Sequence, residues 1–288
     1  MAFRIVEVSS HCKLEYSLNY LVYRTAQETK RISLDEISVL IIESTAVALT
    51  SSLLAELVSR KINTIFCDEK HNPISQLIPL HGSSETSLAI QKQIDWIQED
   101  KDTIWQRIVT EKIKNQASVL SKYSPGQEDR LYDSLDKILP GDTTNWEGHC
   151  ANYYFSHLFG KDFTRDSQDE RNAFLNYGYA IILSLLNRSI AAKGCITQIG
   201  FHHRNQYNAY NLACDLMEPF RPIVDDKIHG LTKENFKEKL RTLSQTYVTI
   251  RGCKQTLSNA IDLYVSSIIS AMNSHDFSQV AFMESYEL

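Results

Sequence analysis

Apolar positions recur at two different periods along this chain, and the change of period falls at about residue 82. Before that point the pattern is that of strands. The stretch Phe3-Arg4-Ile5-Val6-Glu7-Val8 alternates at period two, as a half-buried strand does. Residues 13–16 and 20–23 flank Ser17-Leu18-Asn19, and because Asn19 tolerates a positive φ a hairpin is expected there. Residues 37–42 form an unbroken apolar run, which fits a strand covered on both faces. Residues 50–60 then put Leu53, Leu54, Leu57 and Val58 on one helical face. Residues 62–67 return to strand, 68–73 are a turn cluster, and 74–80 offer a last strand. The sum predicts a small β-sandwich-like domain with one crossover helix.

Gly82-Ser83-Ser84 breaks this pattern and offers an N-cap. From Glu85 onward the period is helical. Leu88, Ile94, Ile97, Ile104, Ile108, Ile113, Ala117 and Leu120 predict one long helix or two in sequence. Further helices are expected near 130–139, 145–159, 170–193, 205–218, 232–245 and 254–273, while the tail from Ser274 has no strong pattern. The fold class that follows is α+β, with a small N-terminal β-sandwich-like domain (1–82) and a larger all-α domain (83–288). No internal repeat or low-complexity tract interrupts it.

Composition narrows the picture only a little. A chain of 288 residues with 43% hydrophobic and 23% charged residues is ordinary for a soluble globular protein. The N-terminus lacks the apolar core and cleavage site of a signal peptide, and no run approaches the length of a membrane span, so a cytoplasmic location is expected. None of the six cysteines forms a CxxC pair, which argues against structural zinc and a thioredoxin-like motif and leaves buried, reduced thiols as the expectation. The net charge of −5 does not suggest a nucleic-acid binder. Locally, however, residues 219–260 carry Arg221, Lys227, Lys233, Lys237, Lys239, Arg241, Arg251 and Lys254 against four acids. Such a window permits phosphate contacts, although a solvated helix face has the same composition.

Candidate chemistry lies in the helical half. Glu147 opens a helix whose apolar face includes Ala151, Tyr154, Phe155 and Leu158; there it can serve as a ligand or merely complement the helix dipole. Asp215 and Glu218, spaced i, i+3, would point from one helix face toward a shared point. An ion pair with Arg221 is the plainer account of them. His202 and His203 precede that helix, where a histidine caps or packs as readily as it binds metal. A carboxylate and imidazole set suits a hard divalent ion such as Mn²⁺ or Mg²⁺.

Three strings stand out, of which the first and last carry these residues: NWEGHCANYYF at 145–155, NAFLNYGYAI at 172–181, and GFHHRNQYNAYNLACDLMEPFRPIVD at 200–225. Together they resemble the CRISPR-associated spacer-acquisition integrase and endonuclease family, most closely its type II-A-like branch. Glu147 with Gly148, Ala151, Tyr154 and Phe155 matches the family's first metal string. Gly200-Phe201-His202-His203 matches the second, and Asp215-Leu216-Met217-Glu218 with Phe220-Arg221-Pro222 the third. The middle string matches as well but serves packing more than chemistry. The N-terminal hairpin and the FCDEKHNP turn at 66–73 extend the resemblance over nearly the whole chain.

The resemblance implies a metal-dependent DNA integrase and endonuclease with Glu147, His203 and Glu218 as both the metal ligands and the catalytic set, holding Mg²⁺ or Mn²⁺. Asp215 is the rival ligand, and its replacement is expected to be milder than that of Glu218. The implied reaction is phosphodiester transesterification, in which the 3′-hydroxyl ends of a short spacer duplex attack the repeat. The implied partners are double-stranded DNA, a second copy of the chain through the N-terminal domain, and a small bridging protein dimer in a 4:2 complex. In the type II branch the effector nuclease and a DNA-end-binding accessory protein join them. Two readings from other classes compete. A scaffold of the same fold without metal would have lost its ligand trio, which is intact here. An unrelated metal hydrolase of a small substrate would favour a glycine-rich phosphate loop, and none is present.

Overall fold

The computed structural model describes residues 4–69, 73–81 and 85–287. Phe3, the 70–72 part of the turn cluster and the break at 82–84 lie outside the described residues. The chain divides into two compact units, residues 1–82 and 83–288.

The first unit holds β1 (Arg4–Val8), β2 (Cys12–Ser17), β3 (Tyr20–Arg24), β4 (Thr29–Ser33), β5 (Ile37–Ile42), β6 (Val47–Leu49), α1 (Ser51–Ser59), β7 (Asn63–Cys67) and β8 (Pro73–Leu77). They form two four-stranded sheets, ordered β1-β5-β7-β8 and β4-β3-β2-β6. In the first sheet β5 runs parallel to both β1 and β7, and all six of its residues are buried, as its unbroken apolar run requires. In the second, β2 and β3 form the expected hairpin with a two-residue loop, and both Leu18 and Asn19 take positive φ (48° and 71°). α1 carries the chain from the second sheet back to the first. The Thr50 hydroxyl caps it by accepting from the Leu53 amide, and Leu53 and Leu57 are buried. Those leucines join Leu14 and Leu21 of one sheet and Ile37, Leu40 and Ile42 of the other in one core, which makes the unit a sandwich.

The second unit holds α2 (Thr86–Asp95), α3 (Gln98–Tyr123), α4 (Asp129–Tyr132), α5 (Trp146–Leu158), α6 (Glu170–Ala192), α7 (Asn211–Met217), α8 (Arg221–Ile228) and α9 (Phe236–Arg241), followed by β9 (Tyr247–Ile250), β10 (Cys253–Thr256), α10 (Leu257–Ser274) and β11 (Met283–Glu287). The expected long helix is two, interrupted at Trp96 and Ile97, and Leu88, Ile94 and Ile97 are exposed in the single chain instead of joining the core. α3 has a continuous apolar stripe; α5, α7 and α8 pack against it, and α6 packs against α7 and α8.

One departure from the all-α expectation is a small antiparallel sheet ordered β10-β9-β11. Tyr247–Ile250 alternates burial at period two, and Arg251 and Gly252, both at positive φ, close a two-residue turn into β10. The patternless tail then pairs with β9 from the other side. Packing between α6 and α8 needs the glycine of the middle string: a Cβ on Gly178 would overlap the Val224 side chain. None of the six cysteines is in a disulfide; four are buried, Cys214 is half-buried and Cys253 exposed.

Candidate metal and phosphate site

α3 is the spine of the site. Trp105, Ile108, Val109, Lys112, Ile113 and Gln116 follow the spacing of a single helical stripe and are all buried. Lys112 therefore points its ammonium inward, where it meets two carboxylates. It donates a hydrogen bond to Glu147 Oε1 and lies 2.5 Å from Glu218 Oε2. Burial alone would lower Lys112; the Glu218 and Glu147 charges reverse that and raise it.

Glu147 is placed by its own loop. Asn145 stands at φ 56° and its side chain accepts from the Gly148 amide, while the buried Asp142 accepts from the amides of Trp146 (2.9 Å) and Glu147 (2.8 Å). These acceptors satisfy first-turn donors that α5 cannot satisfy itself. Glu218 is placed by a proline. α7 ends at Met217, and Glu218-Pro219-Phe220 form a single 3₁₀ turn before α8 begins. Pro219 has no N–H for the helical bond to Asp215, and its carbonyl accepts from Asn115 of α3 (2.8 Å). Glu218 is buried and receives Arg221 Nε on Oε1 at 2.8 Å. Burial alone would raise its pKa; the Arg221 guanidinium and the Lys112 ammonium outweigh it and hold the carboxyl at about 2.

Asp215 and Glu218, read as facing one point, bind different groups: Glu218 meets Lys112 and Arg221, and Asp215 the histidine loop. Asp215 is fully buried and turns to the loop before α7. Its Oδ2 accepts from the amides of Phe201 (2.6 Å) and His202 (3.1 Å), and its Oδ1 from the His203 amide (3.1 Å) and His203 Nδ1 (2.5 Å). A carboxylate offers about four lone-pair sites, and four donors occupy them. Asp215 is thus an anchor for the histidine loop. Gly200 makes room for it: a Cβ there would stand 2.6 Å from Asp215 Oδ2 and 2.8 Å from the His203 carbonyl.

His202 stacks flat on Trp105 (centroids 4.4 Å apart), and His203 meets the same indole edge-on at 5.8 Å. The hydrogen bond to Asp215 raises the His203 pKa against the opposing effect of burial. With Nδ1 committed to Asp215, Nε2 is the ring nitrogen that remains available. This carboxylate-to-histidine bond is the arrangement that commonly fixes the tautomer of a metal-binding histidine.

Behind Arg221 the middle string does more than pack. The Arg165 and Arg221 guanidinium carbons lie 5.4 Å and 4.6 Å from the Tyr179 ring centroid, and the Tyr179 hydroxyl donates to the buried Asp225. Asn172 and Asn176 bind Arg165 and so hold the loop before α6. Burial raises Asp225 to about 6 even though the Tyr179 bond opposes it. The basic residues at 219–260 do not form one free face. Arg221 is tied to Glu218, Lys227 to Thr246, Lys254 to Glu287 and Arg251 to the Gln279 carbonyl.

The donor set fits a hard divalent cation in type and partly in placement. Glu147 and Glu218 already share one cation, the Lys112 ammonium, which lies 2.5 Å from the buried Glu218 Oε2. His203 lies near enough for the Glu218 charge to act on it. Among the described residues, no three His, Cys, Asp or Glu side chains converge closely enough to cage a metal ion. Of the three residues expected from the sequence, the structure brings Glu147 and Glu218 together on Lys112 and ties His203 to Asp215; Lys112 and Asp142 were not expected. Lys112 has a readable signal: it is the one charged residue on the apolar stripe that runs from Trp105 to Ile113.

Comparison with known proteins was consistent in one direction. The family model described as CRISPR associated protein Cas1 matches residues 6–258. The chain is 30% identical to the CRISPR-associated endonuclease Cas1 of Neisseria meningitidis serogroup C (strain 8013), over 99% of this chain and 97% of that protein. Among solved structures it resembles a casposase bound to integration product, with a TM-score of 0.77 and 18% identity over 100% of this chain and 96% of that one. It also resembles a chain of a Cas6-RT-Cas1–Cas2 complex, with a TM-score of 0.76 and 17% identity over 96% of this chain; it spans 35% of that longer chain. At these identities the two structures speak to fold alone.

Proposed function

The chain belongs to the CRISPR associated protein Cas1 family, and from that premise we propose that it is a divalent-metal-dependent DNA endonuclease and integrase of CRISPR adaptation. The observation that carries this reading is the meeting of Glu147 and Glu218 on one cation, beside a histidine oriented by Asp215. Glu147, Glu218 and His203 Nε2 would hold Mg²⁺ or Mn²⁺. A bound divalent ion supplies charge neutralisation at the phosphorus and on the leaving oxygen, and lowers the pKa of the attacking hydroxyl.

The chain's own residues prepare the rest. Arg221 and Lys112 keep Glu218 ionised, so it enters the reaction as a ligand and not as an acid. Asp215 aims the His203 ring, and Trp105 limits its rotation. In the proposed step a spacer 3′-oxygen forms a new bond to phosphorus as the bond to the repeat strand's own 3′-oxygen breaks. The attacking hydroxyl loses its proton and the leaving oxygen gains one. Phosphodiester number is conserved, and water in place of the 3′-hydroxyl gives hydrolysis at the same site.

One site serves one strand end, so two attacks at opposite ends of a repeat require at least two copies. We assign a homodimer through the N-terminal unit, and two such dimers about a small bridging dimer. A named Cas1–Cas2 complex among the structural relatives supports a partner of that kind. The effector nuclease and the DNA-end-binding accessory protein belong to the same proposal, as does a cytoplasmic location; no helix among the described residues is long and apolar enough to cross a membrane.

The test is joining of a labelled short duplex to a repeat-bearing plasmid, with Mn²⁺ or with a chelator. Joined product is expected from the wild type with Mn²⁺ only, and not from Glu218→Gln. Product that persists with chelator or in Glu218→Gln would refute the metal assignment. DNA binding without joining under any condition would favour the scaffold reading. A strict monomer by light scattering at micromolar concentration would refute the dimer.

A further inference from the structure

We propose that Lys112 is the resident counter-cation of the Glu147–Glu218 pair, and that a divalent ion reaches the two carboxylates by displacing its ammonium. The inference rests on the metal reading above and adds a positioning residue to it. Three observations carry it. Lys112 is 5% exposed, yet it sits on an apolar stripe where a lysine has no reason to be unless it is paired. Its ammonium touches one oxygen of each carboxylate, from Glu147 on α5 and from Glu218 in the turn before α8, residues that have no other described link to each other. Glu218 has a second cation, Arg221, on its other oxygen, so two carboxylates face two cations and the cluster is electrically balanced.

That balance dictates the exchange. A further two positive charges on the same oxygens would leave the cluster strongly cationic in a poorly solvated place, unless one of the resident cations withdraws. Arg221 is fixed by its bond to Glu218 and by the Tyr179 ring beneath it. Lys112 has a flexible four-carbon stem and makes point-charge contacts, so it is the group free to move. Once displaced, its ammonium would be free of Glu147 and Glu218 and able to pair with another anion. In the absence of divalent ion it keeps Glu147 and Glu218 at one place and prevents their mutual repulsion.

The test is Mn²⁺ binding to the full chain, by calorimetry and by the paramagnetic resonance of free Mn²⁺, for the wild type, Lys112→Met, Lys112→Arg and Glu218→Gln. Lys112→Met removes the competing charge, and its Mn²⁺ affinity is expected to rise about tenfold or more, given the strength of a unit charge at contact distance. Lys112→Arg keeps a charge there and is expected to bind no tighter than the wild type; Glu218→Gln is expected to bind more weakly than the wild type. A merely structural lysine would leave Mn²⁺ affinity unchanged or weaken it when removed. Equal or weaker binding by Lys112→Met, with wild-type binding intact, overturns the counter-cation role and leaves the metal reading standing. No Mn²⁺ binding by any of the four overturns both. Should Lys112→Met fail to fold, amine acetylation of the wild type, read by mass spectrometry, decides the matter. Acetylation of Lys112 is expected to rise several-fold at saturating Mn²⁺, and unchanged acetylation overturns the displacement.

Discussion

Replacing Asp215 by asparagine should cost the chain more than any change at an exposed candidate ligand. The carboxylate accepts four hydrogen bonds at 2.5–3.1 Å, three from consecutive backbone amides of Phe201, His202 and His203 and one from His203 Nδ1. Asparagine has one acceptor oxygen, so it can serve the pair on one side only and must present N–H donors to the pair on the other. Two hydrogen bonds to a charged group are lost, at about 1.5–3 kcal/mol each, and two amides are left facing a donor. Release from burying a charge returns part of this, so the net loss is about 3 kcal/mol. The two-unit chain need not unfold in one step, and the assay is therefore local as well as global: urea unfolding followed with amide hydrogen exchange of the 200–203 segment. Asp215→Asn is expected to lower the second unit's midpoint and to expose these amides to exchange. A midpoint within about 0.5 kcal/mol of the wild type, with unchanged protection at 201–203, would refute the anchor assignment. The sequence reading makes Asp215 the rival ligand, with a milder effect than Glu218 on strand transfer; its four hydrogen bonds add a loss of stability that spacing alone does not suggest.

The other predictions concern the same machinery. Glu147→Ala, His203→Ala and Glu218→Ala should each lose strand transfer in the plasmid assay, but Glu218→Ala should also destabilise by about 3–5 kcal/mol because it strands Lys112 and Arg221 inside the protein; an unchanged urea midpoint for Glu218→Ala would contradict the buried cluster. Gly200→Ala should cost about 1–3 kcal/mol and weaken protection of the His203 loop, since its Cβ would press on Asp215; a neutral melting curve would count against that contact. Asp225 governs a pH effect. Its pKa is raised from 3.8 to about 6 in the fold, so the folded state binds the extra proton and this group's contribution to stability falls as pH rises from about 4 to 6. The fall is on the order of 3 kcal/mol at 1.36 kcal/mol per pKa unit. Asp225→Asn should flatten that segment of the urea-midpoint profile, and an unaltered slope would rule Asp225 out as its source.

What could be read in the sequence was local. The hairpin at Asn19, the helix opened by Thr50 and the fully buried β5 follow from residues a few positions apart, and so does the strand-to-helix switch of period. What escaped reading was set by distant parts of the chain. Tyr247–Ile250 alternates like a strand and is followed by Arg251-Gly252, but β11, more than thirty residues on, completes the sheet. Leu88, Ile94 and Ile97 match the helical period without being buried, because periodicity reports a face and not what covers it. Asp215 and Glu218 share a helical spacing but bind different groups, the 201–203 loop and the Lys112–Arg221 cations, which spacing alone does not reveal.

The first and third strings make sense once each is seen to contain functional groups together with their own support. Asn145 and Gly148 flank Glu147 and cap the helix that presents it. Gly200 leaves room for the carboxylate that holds His203. The third string also carries that carboxylate at Asp215 and, three residues later, Glu218 with its own guanidinium at Arg221. Local chemistry can therefore assemble each piece separately, which is why the pieces are visible as motifs. What joins them lies in none of the strings. Trp105 braces the histidine loop, Lys112 bridges the two carboxylates, and Asn115 holds the proline turn, all from one helix at spacings of seven and three. A substitution within a string should damage one component. A substitution on that face of α3 should leave every component formed and alter only what passes between them, and hydrogen exchange can tell these outcomes apart, because Lys112→Met would leave the 201–203 amides protected while Asp215→Asn would not.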